Sequence, residues 1–63
     1  MTKQEAIAAM NAGQKVTHKF FEDNEWVTII NNQIVSEDGI THERFWSYRT
    51  SKEWDTGWSI YEN

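Results

Sequence analysis

One stretch of the sequence brings cations and aromatic rings close together along the chain. Its members are Arg44, Phe45, Trp46, Tyr48, Arg49, Lys52 and Trp54. An Arg guanidinium forms bidentate hydrogen bonds with phosphate and also stacks on flat rings, and aromatic side chains stack on nucleobases. The stretch therefore predicts a nucleotide site, with rings for the base and cations for the phosphates. The same residues also fit a structural alternative, in which Arg44 and Arg49 pair with Glu43 and Glu53 on the surface.

The aromatic content of the whole chain is high for its length. Of the 63 residues, four are Trp, three are Phe and two are Tyr. Each large ring carries roughly 150 to 250 Å² of surface, and a buried Trp or Tyr also needs a partner for its N–H or O–H group. A core this small does not readily bury all of these rings. The excess indicates a subunit interface, a stacking pocket or both.

Residues that could perform catalysis lack the spacing that catalysis requires. His18, His42 and Glu43 could meet in space, but metal sites usually pair two ligands on one element, and these His residues stand far apart in the sequence. No serine has the sequence context of an activated nucleophile. The acids of the C-terminal half fall on predicted turns, where solvated carboxylates are expected. We therefore predict a binding protein that is not an enzyme and has no metal site and no cofactor.

Charge and length exclude further classes of function. Ten acidic and six basic side chains give a net charge of −4, which disfavours binding to a nucleic acid polymer because that binding depends on Lys and Arg. No apolar run reaches the roughly 20 residues that cross a bilayer, and the polar start does not resemble a signal peptide. We therefore expect a cytoplasmic protein without a membrane partner. Residues 1–63 are expected to form a single domain, and the absence of Cys leaves oligomerisation to add stability.

The N-terminal segment predicts a helix from about Thr2 to Ala12. Thr2 and Glu5 have the spacing of a capping box, in which each residue's side chain accepts a hydrogen bond from the other's backbone N–H group. Gly13 can adopt the left-handed conformation that ends a helix. Since the apolar residues of this segment form one narrow stripe, the helix is expected to lie on a sheet.

An antiparallel meander is predicted after the helix. Its strands are expected at Lys15–Phe21, Trp26–Ile30, Gln33–Ser36 and Trp58–Tyr61, with a further short segment at Ile40–His42. In the first strand, the alternation places His18 and Phe20 on the same face as Val16. Asn31-Asn32 tolerates positive φ and fits a two-residue hairpin turn. Residues 43–48 fit a strand or a helical turn, and residues 50–57 fit a loop. The predicted fold class is α+β, with one N-terminal helix packed on a four- to five-stranded antiparallel sheet.

The residues that follow the helix also have a recognisable spacing. Gly13-Gln14-Lys15-Val16 is followed by His18 and Phe21, and later by Trp46 and Trp58. This order resembles a family of small phage and prophage proteins, the Thoeris anti-defence proteins of the second-named type. In that family a short helix ends in Gly, Lys-Val follows, and Arg and Trp occupy the places of His18 and Phe21.

The sequence departs from the family pattern at three positions, and its middle segment is shorter. Arg49 stands where the family has Ser, Lys52 where it has Asp, and Gly57 where it has the Asp of a closing Asp-Trp pair. The resemblance implies an antiparallel sheet with one helix, assembled as a homotetramer. It also implies pockets between protomers that sequester cyclic ADP-ribose isomers and, in some members, cyclic dinucleotides.

The combined interpretation is a phage-type anti-defence decoy, which binds a small signalling nucleotide in an infected bacterial host without cleaving it. The predicted ligand-binding residues are His18, Phe21, Arg44, Trp46, Arg49 and Trp54. Trp26 and Trp58, in predicted strands, are expected to be mainly structural. The alternative is a small protein-interaction inhibitor, of the anti-CRISPR or anti-restriction type, that blocks a partner with its aromatic and acidic surface.

Overall fold

The structure, a computed structural model that describes residues 1–62, begins with helix α1 at Lys3–Asn11. The capping box is present: the Glu5 backbone N–H donates to Thr2 Oγ1 at 3.1 Å, and the Thr2 N–H donates to Glu5 Oε1 at 2.8 Å. At the other end Gly13 has φ of 90°, and its N–H donates to the Met10 carbonyl. The predicted helix is therefore confirmed, with Thr2 and Ala12 as its caps.

Four strands form one antiparallel sheet. They are β1 (Val16–His18), β2 (Val27–Ile30), β3 (Gln33–Ser36) and β4 (Trp58–Ile60), in the spatial order β3-β2-β1-β4. Asn31 and Asn32 both have positive φ, at 53° and 66°, so they form the predicted two-residue turn between β2 and β3. The sheet with its single helix confirms the predicted α+β class.

The helix packs on one face of the sheet. Register pairs Val16 with Val27 on one side and with Ile60 on the other, which places all three side chains on the same face. Ala6 and Met10 of α1 are fully buried in the core that also holds Val16 and Val27. The core is completed by Ile34, Phe45 and Trp58.

The sheet has four strands, as predicted, but β1, β2 and β4 are shorter than the sequence predicts. β1 ends at His18, because the Phe21 N–H donates to the His18 carbonyl at 2.9 Å and turns the chain out of the sheet. Phe20, which was expected beside Val16 and His18, is consequently 55% exposed. Of the short segment at Ile40–His42, only Thr41 forms a bridge, with Val35 of β3.

The segment before β4 is helical where the sequence left the choice open. Trp46–Tyr48 and Lys52–Trp54 are short 3₁₀ helices. The first corresponds to the helical-turn alternative for residues 43–48, and the second interrupts the predicted loop. No helix in residues 1–62 has the length and apolar character that a membrane span requires.

Candidate functional site

Two adjoining clefts lie where the chain between β3 and the first 3₁₀ helix meets the sheet. The basic cleft, of about 650 Å³, is lined by Thr41, Arg44, Tyr48 and Arg49. The apolar cleft, of about 420 Å³, is lined by Ile29, Asn32, Ile34 and Trp46. Four residues line both clefts: Gln33, His42, Glu43 and Phe45. Both volumes fall in the range of small-molecule pockets, and both clefts are open to solvent.

Arg49 is the best-positioned cation of the basic cleft. Its guanidinium carbon lies 3.9 Å from the centre of the Phe45 ring, and Nη1 donates to the Phe45 carbonyl at 3.0 Å. Burial lowers the pKa of Arg49 from its ordinary value, and the charge of Glu25 acts in the opposite direction. The stacked ring fixes the plane of the guanidinium, so this cation is held in place before any anion arrives.

Two exposed side chains complete the basic cleft. Arg44 is exposed beside the buried Phe45, and Tyr48 is 76% exposed on the first 3₁₀ helix. An exposed ring of this kind offers a face for stacking, and a second guanidinium gives the cleft two groups that can bind phosphate. The arrangement suits a ligand that carries negative charge.

The apolar cleft has a floor of core side chains. Ile34 and Phe45 are 8% and 5% exposed. Trp46 forms one wall, with its ring centre 4.9 Å from that of Phe45 and 5.5 Å from that of Trp58. The Lys3 ammonium lies 4.4 Å from the Trp46 ring centre, so a cation from α1 already occupies part of the space around this ring. Asn32, Gln33, His42 and Glu43 also line this cleft, so it suits a flat ring whose edge carries polar groups.

His18 is an anchor of the fold. Its ring is 3% exposed, and Nδ1 accepts a hydrogen bond from the Phe20 N–H at 3.1 Å. Nε2 therefore carries the proton and donates to the carbonyl of Thr56 at 2.8 Å, with that of Glu53 at 3.2 Å. The neutral ring thus ties β1 to the loop that contains the second 3₁₀ helix.

Phe21 and Trp54 pack around His18. The Trp54 ring centre lies 4.2 Å from that of His18 and 6.0 Å from that of Phe21. The Trp54 carbonyl also accepts a hydrogen bond from Trp58 Nε1 at 2.8 Å. We call these four rings the ring cluster. Arg49 connects it to the basic cleft, since its guanidinium lies 5.1 Å from the centre of the Trp54 ring.

The six predicted site residues are therefore divided between two places. Arg44, Trp46 and Arg49 line the two clefts, whereas His18, Phe21 and Trp54 belong to the ring cluster and line neither. His18 and Phe21 instead border a separate cleft of about 290 Å³. A ligand-binding role for these six residues stays a prediction.

Sequence reasoning did not single out Gln33, His42 or Glu43 as ligand contacts, although Tyr48 belongs to the predicted stretch of rings and cations. His42 reaches the clefts because Thr41 pairs with Val35, which returns the chain alongside β3. The local sequence signal for this return is Glu37-Asp38-Gly39, whose residue types are typical of a tight turn. Nothing in the local sequence indicates that Gln33 would face the same clefts.

Ser36, Asp38 and His42 form a polar cluster beside the clefts. Ser36 Oγ donates to Asp38 Oδ1, and His42 Nε2 lies 2.8 Å from the same Ser36 oxygen. In a catalytic triad the carboxylate orients the His and the His receives the serine proton. Here Ser36 Oγ donates its hydrogen bond to the Asp38 carboxylate and not to His42, so the order of the hydrogen bonds differs from that of a triad. Ser36 is also buried.

Gly57 lies against the His18 ring and gives a test of this anchor. It has φ of 88°, and an added Cβ would lie 3.0 Å from His18 Nε2 and 3.1 Å from Lys19 Cδ. Gly39 has a similar φ of 81° but has open space around it, so it is the matched control. We expect Gly39→Ala to lose about 1 to 2 kcal/mol of unfolding free energy, and Gly57→Ala to lose about 1 to 3 kcal/mol more. Urea denaturation measures both losses, and equal losses would contradict the anchor.

Comparison with known proteins adds no assignment. No protein-family model, curated protein or solved structure matches the chain. Within residues 1–62, no group of three or more His, Cys, Asp or Glu side chains is placed to hold a metal ion.

Proposed function

We propose that this protein binds and sequesters a small signalling nucleotide in the joined basic and apolar clefts. The observation that carries the proposal is their shared border: Gln33, His42, Glu43 and Phe45 line both. A single ligand lying across this border would meet cations at one end and apolar side chains at the other. A nucleotide has this division, because its phosphates are anionic and its base is flat and mostly apolar on its faces.

The chemistry of the lining residues fits such a ligand part by part. Arg44 and Arg49 supply N–H donors for phosphate oxygens, and the stacked Arg49 loses little freedom on binding. The base fits against Trp46 in the apolar cleft. On the border, Glu43 supplies an acceptor and Gln33 an amide for the hydroxyls of a sugar.

Binding without cleavage is the mode of action that we propose. A decoy requires tight binding and no catalytic group, and the resemblance to the Thoeris anti-defence family supports a cyclic ADP-ribose isomer or a cyclic dinucleotide as the ligand. Since both clefts are open in one chain, we further propose that copies of the chain assemble, as a tetramer by the same resemblance, and close the clefts. The proposed setting is the cytoplasm of an infected bacterial host.

A melting experiment with a panel of nucleotides tests the proposal. Binding to the native state alone stabilises a protein by RT ln(1 + [L]/Kd), which is about 2.7 kcal/mol at a hundredfold excess of ligand over Kd. For a domain of this size we expect the melting temperature to rise by several degrees or more with cyclic ADP-ribose isomers or cyclic dinucleotides. Adenosine, which lacks phosphate, is the matched control and should give little shift. The absence of a shift with every nucleotide would contradict the proposal.

A protein-interaction inhibitor remains the second candidate, because apolar side chains are exposed outside the clefts. Phe20, Ile30 and Ile40 are each more than half exposed. Exposed apolar groups in an acidic chain suit the surface of a protein partner with a basic rim. This candidate predicts that substitutions at Ile30 and Ile40 abolish the proposed anti-defence activity, whereas the nucleotide proposal predicts that Arg44 substitutions abolish it.

A further inference from the structure

His42 occupies the border between the two clefts, and its ring differs from that of His18. Both ring nitrogens of His18 bind backbone groups, which leaves that ring no free position. The exposed His42 ring uses Nε2 to contact Ser36, while Nδ1 has no hydrogen-bond partner among residues 1–62. One edge of an imidazole is therefore anchored at the clefts and the other edge is free.

The partners of Ser36 determine which nitrogen of His42 carries the proton. A serine hydroxyl has one hydrogen, and the Ser36 hydrogen is directed to the Asp38 carboxylate. Nε2 of His42 must then be the donor to Ser36 Oγ, so the neutral ring keeps its lone pair on Nδ1. Asp38 is held in turn by the Ile40 N–H at 3.2 Å. The three groups form a relay that runs from a carboxylate through a hydroxyl to the imidazole.

A negative charge lies at the far end of the relay. The hydrogen bond from Ser36, then that from the Ile40 N–H, lowers the pKa of Asp38, and His42 adds to this lowering. Asp38 therefore stays negative across the pH range in which an imidazole gains its proton. Besides Asp38, the charged groups around the ring are Glu43, which favours the cation, and Arg44 and Arg49, which oppose it.

We propose that His42 is a ligand-contacting residue whose Nδ1 binds an anionic group, and that Asp38 and Ser36 position the ring for this contact. The inference rests on the nucleotide-binding function proposed above. The neutral ring offers an acceptor at Nδ1, which repels a phosphate oxygen, whereas the protonated ring offers an N–H donor and a charge. Affinity for a phosphate-bearing ligand should therefore increase as the pH falls.

The relay and the contact can be tested with cyclic ADP-ribose as the probe, since its pyrophosphate is esterified at both ends and keeps its charge between pH 6 and 8. Long-range ¹H–¹⁵N spectra of the labelled protein should show the Nε2–H form of His42 at pH 8. Titration calorimetry should give a Kd that is about tenfold lower at pH 6 than at pH 8, as expected for one added charge-assisted hydrogen bond. His42→Gln should bind with nearly the same Kd at both pH values. In the spectra, the His18 signals should not respond to the probe.

Ser36→Ala separates the positioning role from a merely structural one. This variant should lose most of the pH dependence while still binding the probe at pH 8, and Ser36→Thr, which keeps the hydroxyl, should restore it. If the wild type binds equally at both pH values, or if His42→Gln keeps the same pH profile, the role of His42 is wrong and the nucleotide-binding proposal stands. If the probe binds at neither pH, both the role of His42 and this ligand assignment fail.

Discussion

Trp58→Ala is expected to lose about 3 to 5 kcal/mol of its free energy of unfolding, which is the usual cost of truncating a large buried aromatic side chain. Trp58 is 2% exposed, and its ring lies 4.7 Å from that of His18 and 5.5 Å from that of Trp46. A single core in a chain of this length rarely supplies more than about 3 to 5 kcal/mol of stability, so this loss would leave much of the protein unfolded. Circular dichroism during urea denaturation measures the change.

Two further variants serve as comparisons for Trp58→Ala. Trp58→Phe keeps a ring in the core but removes the 2.8 Å hydrogen bond to the Trp54 carbonyl, so it should lose less than Trp58→Ala. Tyr48→Ala removes a ring that is 76% exposed, and its stability should change by no more than about 0.5 kcal/mol. A loss for Tyr48→Ala as large as that for Trp58→Ala would contradict the description of the core.

Arg44→Gln is expected to raise the Kd of a phosphate-bearing nucleotide about 10- to 100-fold and to leave stability nearly unchanged. Arg44 is exposed in the basic cleft, so its substitution removes a charge-assisted hydrogen bond without removing core contacts. Arg49→Gln should weaken binding similarly but should also lower stability, because Arg49 stacks on Phe45. Titration calorimetry and urea denaturation together separate the two effects.

Lys52→Gln is the matched control for this series. Lys52 is a cation of the same stretch but lines neither the basic nor the apolar cleft, so its loss should change the Kd less than about threefold. If Arg44→Gln and Lys52→Gln raised the Kd equally, binding would depend on the net charge of the protein and not on the basic cleft.

Trp46→Ala should weaken nucleotide binding because it removes a ring that lines the apolar cleft, whereas Trp54→Ala should mainly lower stability because Trp54 packs in the ring cluster.

The features that sequence predicts correctly depend on residues close together in the chain. The capping box joins residues three positions apart, and the turn at Asn31-Asn32 depends on the conformational range of Asn itself. The position of β4 beside β1, and not at the end of a continuous meander, does not follow from a turn of this kind. These local rules do not depend on the rest of the fold, and so the helix, the hairpin and the sheet class could be predicted.

The features that sequence did not predict depend on contacts between distant parts of the chain. His18 donates to carbonyls of Glu53 and Thr56, and no local pattern records such a partner. Similarly, His42 meets Ser36 only because the chain returns beside β3. The predicted group of rings and cations therefore does not form one site. Trp54 packs in the ring cluster, and Arg44, Trp46 and Arg49 line the clefts.

Recovery of the bound nucleotide tests the central claim most directly. The protein is incubated with cyclic ADP-ribose or, in a parallel sample, with a cyclic dinucleotide. It is then freed of excess ligand by gel filtration and heat-denatured, and the released nucleotide is identified by chromatography. We expect the nucleotide to be recovered intact in a fixed ratio to protein, and Arg44→Gln to retain much less. Recovery of a degraded nucleotide would contradict sequestration, and the absence of any retained cyclic ADP-ribose or cyclic dinucleotide would contradict binding itself.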